Sequence, residues 1–228
     1  MIRIDYFSDV LCIWAYGGQV RLDELQKTFG DEVLVRHRFM ALFADTQTRI
    51  GDGWAGDGGF DGFGRHMQEV CEQWPHAHLN ADAWTRCRPC SSTTAHVFLK
   101  AAGLLLGVDD EQPYRGACAV HERLVTRVRT AFFEQGQDVA SLAVLAQLLD
   151  GDMPSFESIR DRIDNGTAYA ALHRDEELRK AHGVVGSPTY VFNEGRQLLY
   201  GNVGYRIIEA NVRELLSRPQ VEGVPSWC

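Results

Sequence analysis

The hydrophobic period of this chain changes twice, and that change limits the folds open to it. At the start, Ile2-Arg3-Ile4-Asp5-Tyr6-Phe7 alternates apolar and polar and then ends apolar, the pattern of a strand. Leu11 to Phe29 has helical composition and stops at Gly30, a residue suited to a helix C-terminus. Glu32 to Phe39 is rich in Val and Leu and reads as a second strand. The first forty residues thus read β-α-β, the unit that makes two strands parallel. From about Ser91 to Ala181 the period is helical. Ala95, Phe98, Leu99, Ala102, Leu105 and Leu106 share one face. So do Val120, Leu124, Val128 and Phe132, and then Val139, Leu142, Ala143, Ala146 and Leu149. Gly151-Asp152 and Pro154 break the series between its last two helices. The end returns to β. Thr189–Phe192 and Gln197–Tyr200 flank the turn Asn193-Glu194-Gly195 as a hairpin, and Ile208, Val212 and Leu215 mark a last helix that stops before Pro219.

This order predicts an α/β protein with an open mixed sheet interrupted by a large helical insertion. Residues 1–40 and 182–218 are expected to form one sheet-bearing domain with a shared core. Residues 41–181 are expected to supply a glycine-rich loop and a helical insertion that rests on that core as a lid, and 219–228 a tail ending in Trp227-Cys228. Gly51 to Gly64 holds seven glycines among acids and aromatics and reads as a loop or mobile cover. It is no phosphate loop, because it lacks the Lys-Ser/Thr ending and Asp52, Asp57 and Asp61 would repel phosphate. The formal charge of −8 argues against nucleic-acid binding. No apolar run approaches the ~18 residues of a membrane span. The first residues carry acids where a secretory leader would be apolar, so the chain is expected to be cytoplasmic, with six cysteines serving as thiols, metal ligands or redox centres rather than as a disulfide frame.

Cys12 falls between the first strand and a helix. A helix N-terminus offers unpaired N–H groups and partial positive charge, and both favour the thiolate, the nucleophilic form. A buried, inert cysteine would occupy the same position equally well. Gly186-Ser187-Pro188-Thr189 bears on that choice. A cis Ser187–Pro188 bond would leave the Ser187 N–H and C=O free to pair with an extended peptide or glutathione, whereas a trans proline would simply start a strand. Cys87-Arg88-Pro89-Cys90 precedes a helix start, where lowered thiol pKa values are expected. It reads either as a redox pair, able to resolve Cys12 if the insertion folds over it, or as plain structural thiols. Cys71, His76, His78, Cys87 and Cys90 include enough soft ligands for zinc, but their spacing matches no standard finger and no metal is assigned. His96 reads as a core histidine bonded to a backbone carbonyl or as a pocket residue. Ser91 and Ser92 read as helix caps or cleft residues. The amides around Gly204 and Tyr205 could hold an anion such as a glutathione carboxylate, or form only a turn and cap.

Phe7-Ser8-Asp9-Val10-Leu11-Cys12-Ile13-Trp14-Ala15-Tyr16 resembles the active-site segment of the DsbA-like oxidoreductases of FrnE type, which usually read Cys-Pro-Trp-Cys-Tyr there. Val184 to Asn193 resembles their cis-proline segment, and Ser91-Ser92-Thr93-Thr94-Ala95-His96 resembles the Asn-Ser/Thr-x-x-Ala-His start of an insertion helix. The three occur in the family's order over roughly residues 2–216. The resemblance implies a thioredoxin-like fold (β-α-β … β-β-α) with a large helical insertion. That architecture is shared by 2-hydroxychromene-2-carboxylate isomerase and the kappa-class glutathione transferases, so fold does not fix function. It also implies Cys12 as nucleophile, with Trp14, Ser187, Pro188, Ser91, Ser92, Gly204 and Tyr205 around a thiol/disulfide substrate or glutathione.

Two departures sharpen the expectation. Ala15 stands where the second, resolving cysteine is usual, and Ile13 stands where proline is usual. A mixed disulfide on Cys12 must then be released by an outside thiol such as glutathione, or by another cysteine of the chain. The expected activity is thiol–disulfide exchange through one cysteine, with glutathione as cosubstrate and no tightly bound cofactor. Two alternatives stand beside it. One is a glutathione-dependent isomerase or transferase, with Trp14, Phe39, Phe43 and Trp54 forming an apolar pocket, although those enzymes carry serine in place of Cys12. The other is a non-catalytic binding module whose dithiol has decayed. A homodimer suits the architecture, and no residue specifies one.

Overall fold

The computed structural model describes residues 1–217; the stop before Pro219 and the Trp227-Cys228 tail lie outside the described residues. A four-stranded sheet has the order β2-β1-β3-β4. β1 (Ile2–Ser8) runs parallel to β2 (Val33–Phe39), from Ile2 opposite Val33 to Ser8 opposite Phe39. β3 (Thr189–Phe192) is antiparallel to β1 and to β4 (Gln197–Tyr200). Parallel pairing needs the helical crossover that follows β1, and the hairpin needs only the short turn at 193–195. β1 is central, so its residues are covered on both faces and its apolar alternation gives way to near-continuous burial.

The crossover is two helices rather than one. α1 (Ile13–Gly17) and α2 (Gln19–Phe29) meet at Gly18. Gly17 is required by packing, since a Cβ there would lie 2.3 Å from the Trp74 ring. Gly30 ends α2 at φ 47 and ψ −116, outside the usual left-handed cap, a backbone conformation that glycine tolerates because it has no Cβ.

The glycine-rich stretch corrects the loop reading. Residues 47–52 form a single π-type turn, and α3 runs from Gly59 to Cys71. Phe63, Met67 and Val70 recur at helical spacing and bury against the core, which outweighs the ~1 kcal/mol cost of each helical glycine. Two of those glycines permit close approach. A Cβ at Gly62 would sit 1.9 Å from the Asp57 carbonyl oxygen, and one at Gly64 would sit 2.8 Å from the Thr85 methyl.

The helical block comprises α4 (Thr93–Leu106), α5 (Arg115–Phe133), α6 (Leu142–Ala146), α7 (Phe156–Asp164) and α8 (Thr167–Ala181). A further break at Gly166, with φ 83, separates α7 from α8. α9 (Tyr205–Ser217) packs with α2 on one sheet face, over Ile4, Tyr6, Val33 and Phe192. The block is no lid on that core. It builds a larger core of its own, which takes in Val10 to Ile13, Ala15 and Phe39 and thereby holds the Cys12 segment from one side.

Buried charges fasten this block to the sheet. Arg38 of β2 bonds Asp5 at 2.8 Å, Asp109 at 2.5 Å and Asp175 at 3.2 Å, and Lys100 of α4 bonds Asp109 at 2.6 Å and Asp175 at 3.0 Å. His121 is buried beside it, and His37 and His96 are buried elsewhere in the core. Burial pushes His37 well below the ordinary histidine range, lowers His96, and brings His121 down to about 4. The folded chain therefore binds fewer protons than the unfolded chain between the ordinary value of 6.5 and about 4. Stability is fully present above that window and falls as pH drops through it, by up to about 3 kcal/mol for His121 alone. Urea midpoints measured from pH ~7.5 down to ~4.5 should decline, and His121→Gln should flatten the decline. Equal slopes for both proteins would contradict this assignment.

Candidate active site

The strand end and the first helix place Cys12. Asp9 follows the last residue of β1, and its carbonyl accepts the Cys12 N–H at 3.1 Å. Cys12 then caps α1, and its own carbonyl accepts the N–H groups of Ala15 and Tyr16 at 3.1 and 3.0 Å. On the opposite side the Ser187–Pro188 peptide is cis. The Cys12 thiol donates to the Ser187 carbonyl at 3.4 Å. The Ser187 carbonyl is thus not free, as a bare docking edge would require; it faces the sulfur.

The expected low thiol pKa is not what this environment gives. Cys12 is 3% exposed, and burial pushes its pKa above 9.0. Hydrogen bonding with the Ser187 side chain and the amides of Ala15 and Trp14 pulls the other way, while the Asp9 carboxylate adds to the rise. A helix of five residues offers too few N–H groups to reverse full burial. The resting group is a thiol.

Asp9 is the residue that sequence reasoning missed. It is fully buried. Its Oδ1 accepts the Leu11 N–H at 2.8 Å, and its Oδ2 accepts the Phe43 N–H at 2.9 Å and the Ser92 hydroxyl at 2.7 Å. Its own N–H donates to Ser187 Oγ at 3.0 Å. One side chain and its backbone therefore join four separate segments around Cys12. The available signal was a carboxylate at the strand-to-helix junction, directly before the apolar Val10-Leu11 that leads into Cys12.

His96 is buried and accepts the Val10 N–H on Nε2 at 3.1 Å, rather than bonding a carbonyl, and its ring stacks on Phe39. With Nε2 as acceptor the imidazole is neutral, in accord with its lowered pKa. Ser92 makes no side-chain cap; its hydroxyl goes to Asp9, behind the cysteine. Ser91 Oγ accepts the Thr93 N–H at 3.0 Å, a local turn.

A cleft of about 630 Å³ opens over Cys12, Trp14, Gly186 and Ser187. Val185 and Tyr200, 76% and 56% exposed, stand at its rim. Leu42, Phe43, Trp54, Phe63 and Met67 form an apolar wall, and Arg49 and His66 complete it. Of the four aromatics expected to make a pocket, Trp14, Phe43 and Trp54 line the cleft, and Phe39 is buried behind it. Arg49, Phe63, His66 and Met67 were hidden because their segment read as a loop.

Other expected residues stand outside the lining. Ser91 and Ser92 are not part of it, nor are Gly204 and Tyr205. Tyr205 instead hydrogen-bonds Thr28 of α2. Cys87 and Cys90 do not line it either. Burial, with Asp138 and Asp82 nearby, pushes Cys87 up to about 11, the reverse of a lowered helix-terminal thiol. Their backbone is tied into the surrounding fold, with the Cys87 carbonyl accepting the Trp84 N–H and the Cys90 carbonyl the Thr46 N–H. Among the described residues, no three His, Cys, Asp or Glu side chains gather as a metal site, and no helix is long and apolar enough to cross a membrane.

Comparison with known proteins places this geometry. The chain is similar over its length to solved structures of low identity. Cytosolic disulfide reductase DsbM from Pseudomonas aeruginosa, solved with GSH, is 19% identical, with a TM-score of 0.65 over 92% of this chain and 99% of that one. A Streptomyces coelicolor protein described as a probable DsbA oxidoreductase is 18% identical, with a TM-score of 0.69 over 99% and 94%. A 2-hydroxychromene-2-carboxylate isomerase is 14% identical, with a TM-score of 0.60 over 95% and 97%. At these identities the likeness shows the fold. A search of the curated proteins returned no match. The family model described as a DSBA-like thioredoxin domain matches residues 3–212, and the chain belongs to that family.

Proposed function

We propose that this protein is a thiol–disulfide oxidoreductase that works through Cys12 alone, with an external thiol such as glutathione completing the cycle. The Cys12 thiol gives its proton to solvent, and the thiolate attacks one sulfur of a substrate disulfide. One S–S bond breaks, a mixed disulfide forms on Cys12, and the other half leaves as a thiolate. A second, external thiolate then attacks the mixed disulfide and frees Cys12. The reading rests on one observation. Cys12 and the Ser187 backbone face each other on the cleft surface, and no other cysteine of the described residues lines that cleft. Ala15 is fully buried in the position a resolving thiol would need. A cytoplasmic, reducing setting belongs to this reading. It is supported by the cytosolic setting named for DsbM and by the five described cysteines, all free.

The apolar wall of Trp54, Phe63 and Met67 favours a second reading, glutathione-dependent isomerisation of an aromatic substrate. Glutathione binding that survives Cys12→Ser would favour it.

The test is incubation with oxidised glutathione followed by intact-mass analysis and peptide mapping. Mapping is needed because Cys90 is exposed. The expected result is one glutathione on Cys12, removed by reduced glutathione and absent in Cys12→Ser. A protein that never carries the adduct on Cys12 would overturn the proposal and leave a binding module.

A further inference from the structure

The cleft wall supplied by residues 47–71 carries both of its basic groups. The Arg49 guanidinium lies over the Phe43 ring, 4.9 Å from its centroid, and the His66 ring stacks on Trp54 at 5.3 Å. Stacking holds each group in place through its π face and leaves its N–H donors to the edge. Among the described residues no carboxylate lies within ion-pair distance of Arg49. The acids on its own turn keep their charge but bond neutral donors rather than Arg49. Asp45 accepts the Thr48 N–H at 3.0 Å and its hydroxyl at 2.7 Å, and Asp52 accepts from Gln47 at 2.9 Å. His66 faces Glu69 at 3.9 Å, and that carboxylate is largely exposed. No Asp or Glu is among the residues that line the cleft, in a chain whose formal charge is −8. The acidic surface as a whole draws cations, so any preference for anions in the cleft comes from the local wall that Arg49 heads.

We propose that Arg49, with His66 beside it, selects anions in the Cys12 cleft, so that Cys12 exchanges with small disulfides bearing carboxylates in preference to those bearing ammonium groups. This rests on the exchange chemistry proposed above. The step itself balances as before: one substrate S–S bond breaks, the Cys12–S bond to one half forms, and the other half leaves as a thiolate.

Three small disulfides read the charge preference: dithiodipropionate as anion, cystamine as cation and hydroxyethyl disulfide as neutral reference. Adduct formation on Cys12 is followed by mass, and each rate is divided by the neutral rate on the same variant and by the reagent's rate with free cysteine. The anion-to-cation ratio should be about tenfold or more in the wild type. It should fall toward unity in Arg49→Ala and invert in Arg49→Glu. In parallel, suberate, a sulfur-free isostere of dithiodipropionate, is titrated against Trp fluorescence. Its binding should be lost in Arg49→Glu. If Cys12 exchanges with the neutral disulfide but neither ratio nor suberate binding depends on Arg49, the anion selection is wrong and the exchange chemistry stands. If no disulfide labels Cys12 but suberate binds through Arg49, the exchange chemistry fails and the anion site stands. If neither occurs, both fail.

Discussion

Asp175→Ala should destabilise the protein by about 3–5 kcal/mol, the cost typical of removing one partner from a buried ion network. Three cations, Arg36, Arg38 and Lys100, meet three carboxylates, Asp5, Asp109 and Asp175. Asp175 is fully buried, Lys100 is 2% exposed and Arg38 6%. Removing Asp175 leaves one positive charge uncompensated away from water. It also orphans the Phe39 N–H, which donates to Asp175 Oδ2 at 3.0 Å. Asp109 cannot cover the deficit, because it already serves both cations. Although burial pushes its carboxyl up, Lys100 and Arg38 bring it down to about 2. At roughly 2–4 °C per kcal/mol for a chain of this size, the melting temperature should fall by about 6–20 °C. The double change Lys100→Met with Asp175→Leu should recover part of the loss, since it removes both signs of charge together. A single variant that melts within a degree or two of the wild type would show that water reaches the network and screens it.

That network also shows what a sequence yields and what it withholds. The four strands, the hairpin and the final helix were legible because their periods are local, and so was Cys12 at the strand-to-helix junction. The cis-proline edge and the order of the three motifs were legible through resemblance. Arg38, Lys100, Asp109 and Asp175 were not, since four charges scattered over 138 positions meet only after the insertion docks on β2. The glycines of 51–64 misled for a different reason. Their low helix propensity is a local fact, whereas the close approaches at Gly62 and Gly64 are tertiary. Ser92 reads from its neighbours as a cap or a cleft residue, but its hydroxyl is drawn instead to a carboxylate 83 positions earlier in the chain. The direction of the Cys12 pKa was lost in the same way, because burial by the insertion core outweighs the helix end that the sequence displays.

Asp9→Ala should destabilise the fold by several kcal/mol and loosen the junction of segments that surrounds Cys12. The substitution removes the acceptor of three buried donors, the Leu11 N–H, the Phe43 N–H and the Ser92 hydroxyl. Each buried donor left unmet costs about 1–3 kcal/mol, so a loss of several kcal/mol is expected, reduced where water can enter. Loss of stability alone would not identify Asp9 as a residue that sets the cysteine, and Asp9→Asn separates the two roles. Asparagine keeps the shape and one acceptor oxygen, so the fold should survive with a smaller loss. It removes the negative charge that raises the Cys12 pKa, so the thiol should titrate below its wild-type value. Ultraviolet absorbance of the thiolate against pH reads that shift, with Cys12→Ser as the blank. The same variant should bind oxidised glutathione less well, because the amide N–H₂ now faces donors on Phe43 and Ser92 and loosens the junction with the Ser187 edge. A purely structural Asp9 would lower the melting temperature and leave the titration of Cys12 where it was. A depressed thiol pKa in a folded Asp9→Asn protein would instead show that this carboxylate adds to burial in keeping Cys12 protonated at rest, so that its charge as well as its hydrogen bonds sets the cysteine.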